Sequence, residues 1–149
     1  MDWLKSWNEA LDYLEENLDK EISLEELGRL AGCSTYHFQR MFSYLAGVPL
    51  KEYIRRRRMT RAAADLRTGE KVLHVALRYG YDSPTAFNRA FQAVHGVAPS
   101  LAKQDGVKLK AFPRIRFKFV LKGDTEMEYQ IVRRGEFRIV GFRMPLPMD

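Results

Sequence analysis

The sequence predicts a mainly α-helical fold: two helix-turn-helix units joined by one long helix, followed by a short β-rich tail from about residue 106. Three observations predict it. First, Ser34 to Phe42 reads as a short two-faced helix, with Ser34 suited to capping the first turn and Phe38, Met41 and Phe42 forming an apolar face at i, i+3, i+4. Second, the pattern returns 49 residues later. Ser83, Phe87, Arg89, Phe91, Gly96 and Val97 stand where Ser34, Phe38, Arg40, Phe42, Gly47 and Val48 stood. Six matches at a fixed interval point to a duplicated supersecondary unit. Third, residues 49–68 carry an unbroken helical pattern between the two copies.

Each element follows from its residues. Trp3, Leu4, Trp7, Leu11, Leu14 and Leu18 recur at helical spacing, which predicts an amphipathic helix over 3–20 with an acidic outer face. Ser23-Leu-Glu-Glu26 has the form of a capping box and opens a helix to about Ala31, with Leu24, Leu27 and Leu30 toward the core. Gly28 marks close approach to the next helix. Gly32-Cys33 is a tight turn into the Ser34 helix, and helix, Gly-containing turn, helix is the helix-turn-helix pattern. Gly47 ends that helix and Pro49 can start the next. In this long helix Tyr53, Ile54, Met59, Ala62, Ala63 and Leu66 supply the core positions. Arg55 to Arg58 and Arg61 lie on it. Four consecutive arginines spread around a helix, so one or two are expected to meet phosphate or a carboxylate and the rest to be solvated.

Gly69 stops the long helix. Val72, Val75 and Ala76 begin the second unit, which runs to Tyr79; Gly80-Tyr81-Asp82 is a turn one residue longer than the first. Ser83 caps, Pro84 starts the second copy of the two-faced helix, and Phe87 and Phe91 face inward. Pro99-Ser100 starts a short final helix. After Gly106 the pattern changes to alternation, predicting strands over Arg114–Lys122, Met127–Arg133 and Phe137–Phe142. Three strands with one apolar face need a cover.

Charge separates the chain. The net charge is +6, yet residues 1–30 hold three basic and nine acidic residues, leaving 22 basic and 10 acidic in the remainder. A basic body favours a polyanion, most often nucleic acid. No run of about 18 apolar residues is present to span a bilayer. The N-terminus lacks the basic-then-apolar form of a secretory signal. Cys33 is the single cysteine, so no internal disulfide can form and a reducing cytoplasm fits. Its place between two helices suggests a buried filler, with a reactive thiol as the alternative. His37, His74 and His95 have no metal-ligand spacing, and read as structural or as phosphate neighbours. No nucleophile–base pair, carboxylate cluster, phosphate-binding loop or metal motif stands out, so neither enzyme activity nor a cofactor is predicted.

The outward positions of the two short helices carry the functional signal. Tyr36, Gln39 and Arg40 lie off the apolar face of the first; Thr85, Asn88 and Arg89 lie off that of the second. Glutamine pairs bidentately with adenine and arginine with guanine in the major groove. Twenty residues of connecting helix, at about 1.5 Å each, span roughly 30 Å. That is close to the roughly 34 Å between successive major-groove faces on one side of a duplex. One chain could therefore read two half-sites. Structural alternatives stand beside this: Tyr36 as a plain surface aromatic, Arg40 or Arg89 bridging to a carboxylate.

Ser23-Leu-Glu-Glu-Leu27, Ser34-Thr-Tyr-His-Phe-Gln-Arg-Met-Phe42, Gly47-Val-Pro-Leu-Lys-Glu-Tyr-Ile-Arg55, Val75-Ala-Leu-Arg-Tyr-Gly-Tyr81 and Ser83-Pro-Thr-Ala-Phe-Asn-Arg-Ala-Phe91 together resemble the DNA-binding domain of the AraC/XylS family of bacterial transcription regulators, closest to its MarA, SoxS and Rob group. The resemblance covers about residues 5–104. It implies seven helices and transcriptional control, often activation through contact with RNA polymerase. It places Tyr36, Gln39 and Arg40 in one major groove and Thr85, Asn88 and Arg89 in the next. Ser34, Thr35 and Thr85 become candidates for phosphate contact at helix N-termini. Three positions depart from the family pattern: Gly28 for the usual Ala, Pro84 removing an N–H from the second recognition helix, and Ala102-Lys103 for an aromatic followed by Arg.

The tail, Met127-Glu-Tyr-Gln-Ile-Val132 through Phe137-Arg-Ile-Val-Gly-Phe-Arg143, resembles the opening of a GyrI-like effector-binding domain, which implies a small-molecule effector if such a domain is complete. About 40 residues are present, fewer than that domain needs. A fragment or truncated product is therefore expected, with the pocket incomplete and the strands pairing with each other or with another chain. The expected organisation is a DNA-binding domain over 1–105 (first helix-turn-helix about 5–48, linker helix about 49–68, second about 70–104) and a partial effector-binding tail over 106–149. The expected partner is double-stranded DNA with a bipartite promoter site, and no membrane. The competing reading is a protein-interaction or ligand-sensing module with only non-specific DNA affinity.

Overall fold

A computed structural model describes residues 2–119, 128–134 and 137–143. It contains six α-helices: α1 (Trp3–Glu16), α2 (Leu24–Ala31), α3 (Thr35–Ala46), α4 (Leu50–Arg67), α5 (Val72–Arg78) and α6 (Pro84–His95). Among the described residues, the expected seventh helix is only a single 3₁₀ turn, Pro99–Leu101. Three strands follow: β1 (Arg114–Phe117), β2 (Glu128–Arg134) and β3 (Phe137–Arg143). Their order is β1-β3-β2. Strand β3 runs parallel to β1, with Arg114 opposite Phe137, and antiparallel to β2, with Glu128 opposite Arg143. Strand β1 stops at Phe117, shorter than expected, and residues 120–122 and 127 of the expected strands lie outside the described residues.

The chain divides into two compact units. Of the described residues, the first comprises 2–15, 23–50 and those from 113 onward. Its buried apolar residues include Trp7, Leu11, Leu14, Leu27, Phe38, Phe42, Ile115 and Phe117. Trp7 stacks on Phe38 with centroids 4.6 Å apart and meets Phe117 edge-on at 6.0 Å. The short strand β1 therefore contributes to the same core that seats α3. Asn8, buried on α1, clamps it: its Nδ2 donates to the Phe117 carbonyl and its Oδ1 accepts from the Phe117 N–H, both at 2.9 Å. A side-chain amide thus does for β1 what a neighbouring strand would do, satisfying backbone groups on that edge. Arg114 and Arg116 both reach Asp12 on the same helix.

The α2–α3 turn depends on Gly28. A Cβ built there would sit 2.6 Å from the Cys33 carbonyl oxygen and 3.3 Å from the backbone of Ser34 and Thr35. The close approach expected at this glycine is present. Ser23 caps α2 by accepting from the Glu26 N–H at 3.1 Å. The reciprocal arm of a capping box is not made: the Ser23 N–H donates to the Tyr13 hydroxyl, and the Glu26 carboxylate is held by Arg29. Leu24, expected in the core, is exposed.

The second unit comprises residues 16–22 and 51–112. Its core gathers Met59, Ala62, Leu66, Val75, Ala76, Tyr79, Phe87, Phe91 and Val94. Helix α1 ends at Glu16 rather than near residue 20. Lys20 N–H turns back to Asn17, and Arg58 donates to the carbonyls of Leu18 and Lys20 at 2.9 Å each. Those carbonyls are satisfied from outside, so the helix has no need to continue. Residues 107–112 form a strap held mainly from α4. Arg67 donates to the Val107 carbonyl, Thr60 Oγ accepts from the Phe112 N–H, Arg57 donates to the Phe112 carbonyl, and the Arg56 guanidinium lies 4.9 Å from the Phe112 ring centroid.

Candidate nucleic-acid interface

Helix α3 has two opposed faces. Phe38 and Phe42 are buried, fixing its rotation. Tyr36, Gln39 and Arg40 are consequently exposed, Tyr36 at 71%. The Ser34 hydroxyl is occupied as N-cap, accepting from the His37 N–H at 3.1 Å, and Thr35 is half-buried at the helix start. Gln39 makes only a long contact, 3.4 Å, to the Thr35 carbonyl, so its amide is free to reorient. Arg40 has no ion pair among the described residues.

Helix α6 repeats the arrangement in the second unit. Phe87 and Phe91 are buried, and Tyr81 from the preceding turn packs edge-on against Phe87 at 5.6 Å. Ser83 caps by accepting from the Ala86 N–H at 3.2 Å, and Pro84 occupies the first turn. Thr85 and Arg89 are exposed and Asn88 is half-buried. Arg89, like Arg40, has no ion pair among the described residues. The eight predicted site residues therefore fall into two sets: Ser34, Thr35, Tyr36, Gln39 and Arg40 on or beside α3, and Thr85, Asn88 and Arg89 on α6.

Two residues on these faces were missing from the sequence-based selection. Tyr44 is 80% exposed, two turns beyond Tyr36. Gln92 is exposed one turn beyond Asn88 and Arg89. Extending the helical ladder to i+8 from Tyr36 and to i+7 from Thr85 finds both.

The arginine run on α4 meets one half of its expectation, two arginines on a carboxylate, and overturns the other half, that the rest are solvated. Arg55 and Arg56 both pair with Glu52, at 2.9 and 3.0 Å. Arg57 and Arg58 are bound to main-chain carbonyls instead of being solvated. All four are half-buried. Hydrogen bonding from Arg55 holds the Glu52 carboxyl below its ordinary range, and burial lowers the Arg58 guanidinium. These side chains satisfy carbonyls that a hydrophobic residue would leave orphaned, so their first role is structural.

His95 is buried, with Nε2 2.9 Å from the Met59 carbonyl and Nδ1 accepting from the Lys110 N–H at 3.0 Å. That pair of bonds selects the neutral imidazole with its proton on Nε2. Burial pushes its pKa below the ordinary histidine value. Cys33 is half-buried and burial raises its thiol, the setting of an unreactive cysteine. Among the described residues no group of three His, Cys, Asp or Glu side chains could hold a metal, and no helix is long and apolar enough to cross a membrane.

Comparison with known proteins agrees with this geometry. The family model described as a helix-turn-helix domain matches residues 27–104. The chain is 41% identical over 95 residues to the HTH-type transcriptional activator AarP of Providencia stuartii, covering 63% of this chain and 70% of that protein. It is 34% identical over 130 residues to the Right origin-binding protein of Escherichia coli, covering 80% of this chain but 45% of that longer one. Among solved structures, the DNA-binding domain of AdpA in complex with a target DNA superposes with a TM-score of 0.60 at 27% identity, over 66% of this chain and 90% of that one. An AraC-type transcriptional regulator from Chromobacterium violaceum shares the fold with a TM-score of 0.60 at 21% identity, over 66% of this chain and 88% of that one. With its duplicated recognition helices and this match across more than half its length, the chain belongs to the AraC/XylS-type helix-turn-helix family of DNA-binding transcription regulators.

Proposed function

We propose that one chain reads a bipartite promoter site, with α3 in one major groove and α6 in the next groove of the same duplex. The observation that carries this reading is the repeated exposed face: Tyr36, Gln39 and Arg40 recur at the same helical positions as Thr85, Asn88 and Arg89, 49 residues on. The continuous α4, 18 residues long, supports it. At about 1.5 Å per residue it spans roughly 27 Å, on the scale of the groove repeat.

In this reading Arg40 and Arg89 pair with guanine, Gln39 with adenine, and Asn88 with a base edge. Tyr36 stacks against sugar or base. Ser34, Thr35 and Thr85 meet phosphate where the helix N-termini present free N–H groups. Residues 1–105 serve as the DNA-binding domain, and 106–149 as part of an effector-binding region that takes a small molecule. The resemblance to AarP supports transcriptional activation, with RNA polymerase as the protein partner in the cytoplasm.

The test is selection of bound duplexes from a random pool, with the enriched sequence titrated at two salt concentrations. The expected result is a site whose halves lie about 10 base pairs apart, bound by a monomer with steep salt dependence. Enrichment of nothing over random DNA would overturn the reading and favour a protein-interaction or ligand-sensing module.

A further inference from the structure

We infer that Gln92 is a base-reading residue of the second recognition helix, selecting an adenine one helical turn from the base read by Arg89. The inference rests on the two-groove reading above and extends its contact set on α6.

Its position is the first argument. At about 100° per residue, Gln92 falls within roughly 20° of Thr85 around the helix axis, between the directions of Asn88 and Arg89. It therefore occupies the middle of the outward face. It lies inside α6, three residues before the helix ends at His95, so its backbone is fixed by the packing of Phe87, Phe91 and Val94. Its side chain is exposed and has no hydrogen-bond partner among the described residues.

The duplication supplies the second argument. The matching position on α3 is Ser43, whose hydroxyl turns back to donate to the Gln39 carbonyl at 2.9 Å. A short side chain committed to its own helix cannot reach a base, so the first ladder has no base-reading residue at this position. The second continues by one long polar side chain. The N-terminal turn of α6 is correspondingly poor in contact chemistry: Pro84 lacks an N–H, and exposed Ala86 offers only a methyl group. The second unit's readout is thus moved toward the middle of its helix.

Glutamine is suited to this task because its Oε1 accepts from adenine N6 while its Nε2 donates to adenine N7. The same geometry predicts a switch. A carboxylate at this position can accept from cytosine N4 but has no donor for adenine N7.

The experiment repeats the random-pool selection with the full chain and its Gln92→Ala and Gln92→Glu variants, after thermal melts establish that each is folded. The expected result for Gln92→Ala is loss of an adenine preference at one position of one half-site, by about 5- to 150-fold, with every other position unchanged. Gln92→Glu should exchange that adenine for cytosine. Equal weakening on all sequences would assign Gln92 to phosphate and overturn the inference, as would an unchanged preference. If the unsubstituted chain enriches no sequence, the two-groove reading itself fails and this inference falls with it.

Discussion

The two helix-turn-helix units solve one packing problem in different ways. In the first, a single residue, Cys33, lies between the glycine that ends α2 and the serine that caps α3. In the second, Tyr81 and Asp82 fill the corresponding gap. The short turn brings the Cys33 carbonyl so close to α2 that only Gly28 fits beneath it. In the second unit the equivalent position is Ala76, fully buried, and its carbonyl accepts from the Tyr81 N–H as that of Gly28 accepts from the Cys33 N–H. The extra residue is also used, since Tyr81 packs on Phe87. The unit with the shorter turn carries a glycine where the unit with the longer turn carries a methyl group.

Each unit also recruits a piece of the chain beyond the second recognition helix, and each uses a buried polar side chain to do so. In the first unit the Asn8 amide holds both backbone groups of Phe117. In the second the His95 imidazole accepts from Lys110 while donating to Met59. The amide is indifferent to pH and the imidazole is not.

Substitutions can break this comparison in order of effect. Phe38→Ala and Phe87→Ala remove the equivalent core anchors, and each should destabilise the protein by about 3–5 kcal/mol in denaturant titrations. A large inequality between them would show that the two cores are not equivalent. Asn8→Leu keeps the branched side-chain shape but strands a buried N–H and carbonyl, and should cost about 1–3 kcal/mol by the same measurement. Gly28→Ala gains about 1 kcal/mol of helix propensity but forces a backbone carbonyl aside, for a net loss of about 1–2 kcal/mol. Ala76→Gly should also destabilise, by at least about 1 kcal/mol. Stabilisation by Gly28→Ala would show that the Cys33 carbonyl does not exclude a methyl group there.

The smallest expected effect is the pH dependence from His95. Its folded pKa is depressed, so the unfolded chain takes up a proton first as pH falls below about 6.5. In that window the unfolded state binds more protons than the folded one, and stability rises with pH. The contribution is complete above about pH 6.5 and is lost as pH falls toward the lower folded value. Denaturant midpoints measured between pH 5 and 7.5 should show this slope, and His95→Gln should flatten it.

Much of the fold was legible because the informative signals were local. Serine caps at 23, 34 and 83, glycine stops at 47 and 96, and the repeated phenylalanine spacing all act within one or two turns. The exposed faces of α3 and α6 followed directly, since burying Phe38 and Phe42 determines where Tyr36, Gln39 and Arg40 must point. What escaped were contacts between residues far apart in sequence. Nothing near Asn8 announces a partner 109 residues away. Nothing in Arg55 to Arg58 reveals that two of them serve carbonyls at Leu18, Lys20 and Phe112. A run of arginines reads as a surface for phosphate until the orphaned carbonyls it satisfies are seen.

Whether one chain carries two independent reading heads is decided by measuring Arg40→Ala and Arg89→Ala against the selected duplex and against duplexes altered in one half-site. Each substitution should weaken binding by about 1–3 kcal/mol and relax base preference in its own half-site alone. Uniform loss across all sequences, or unchanged affinity for either variant, would contradict it.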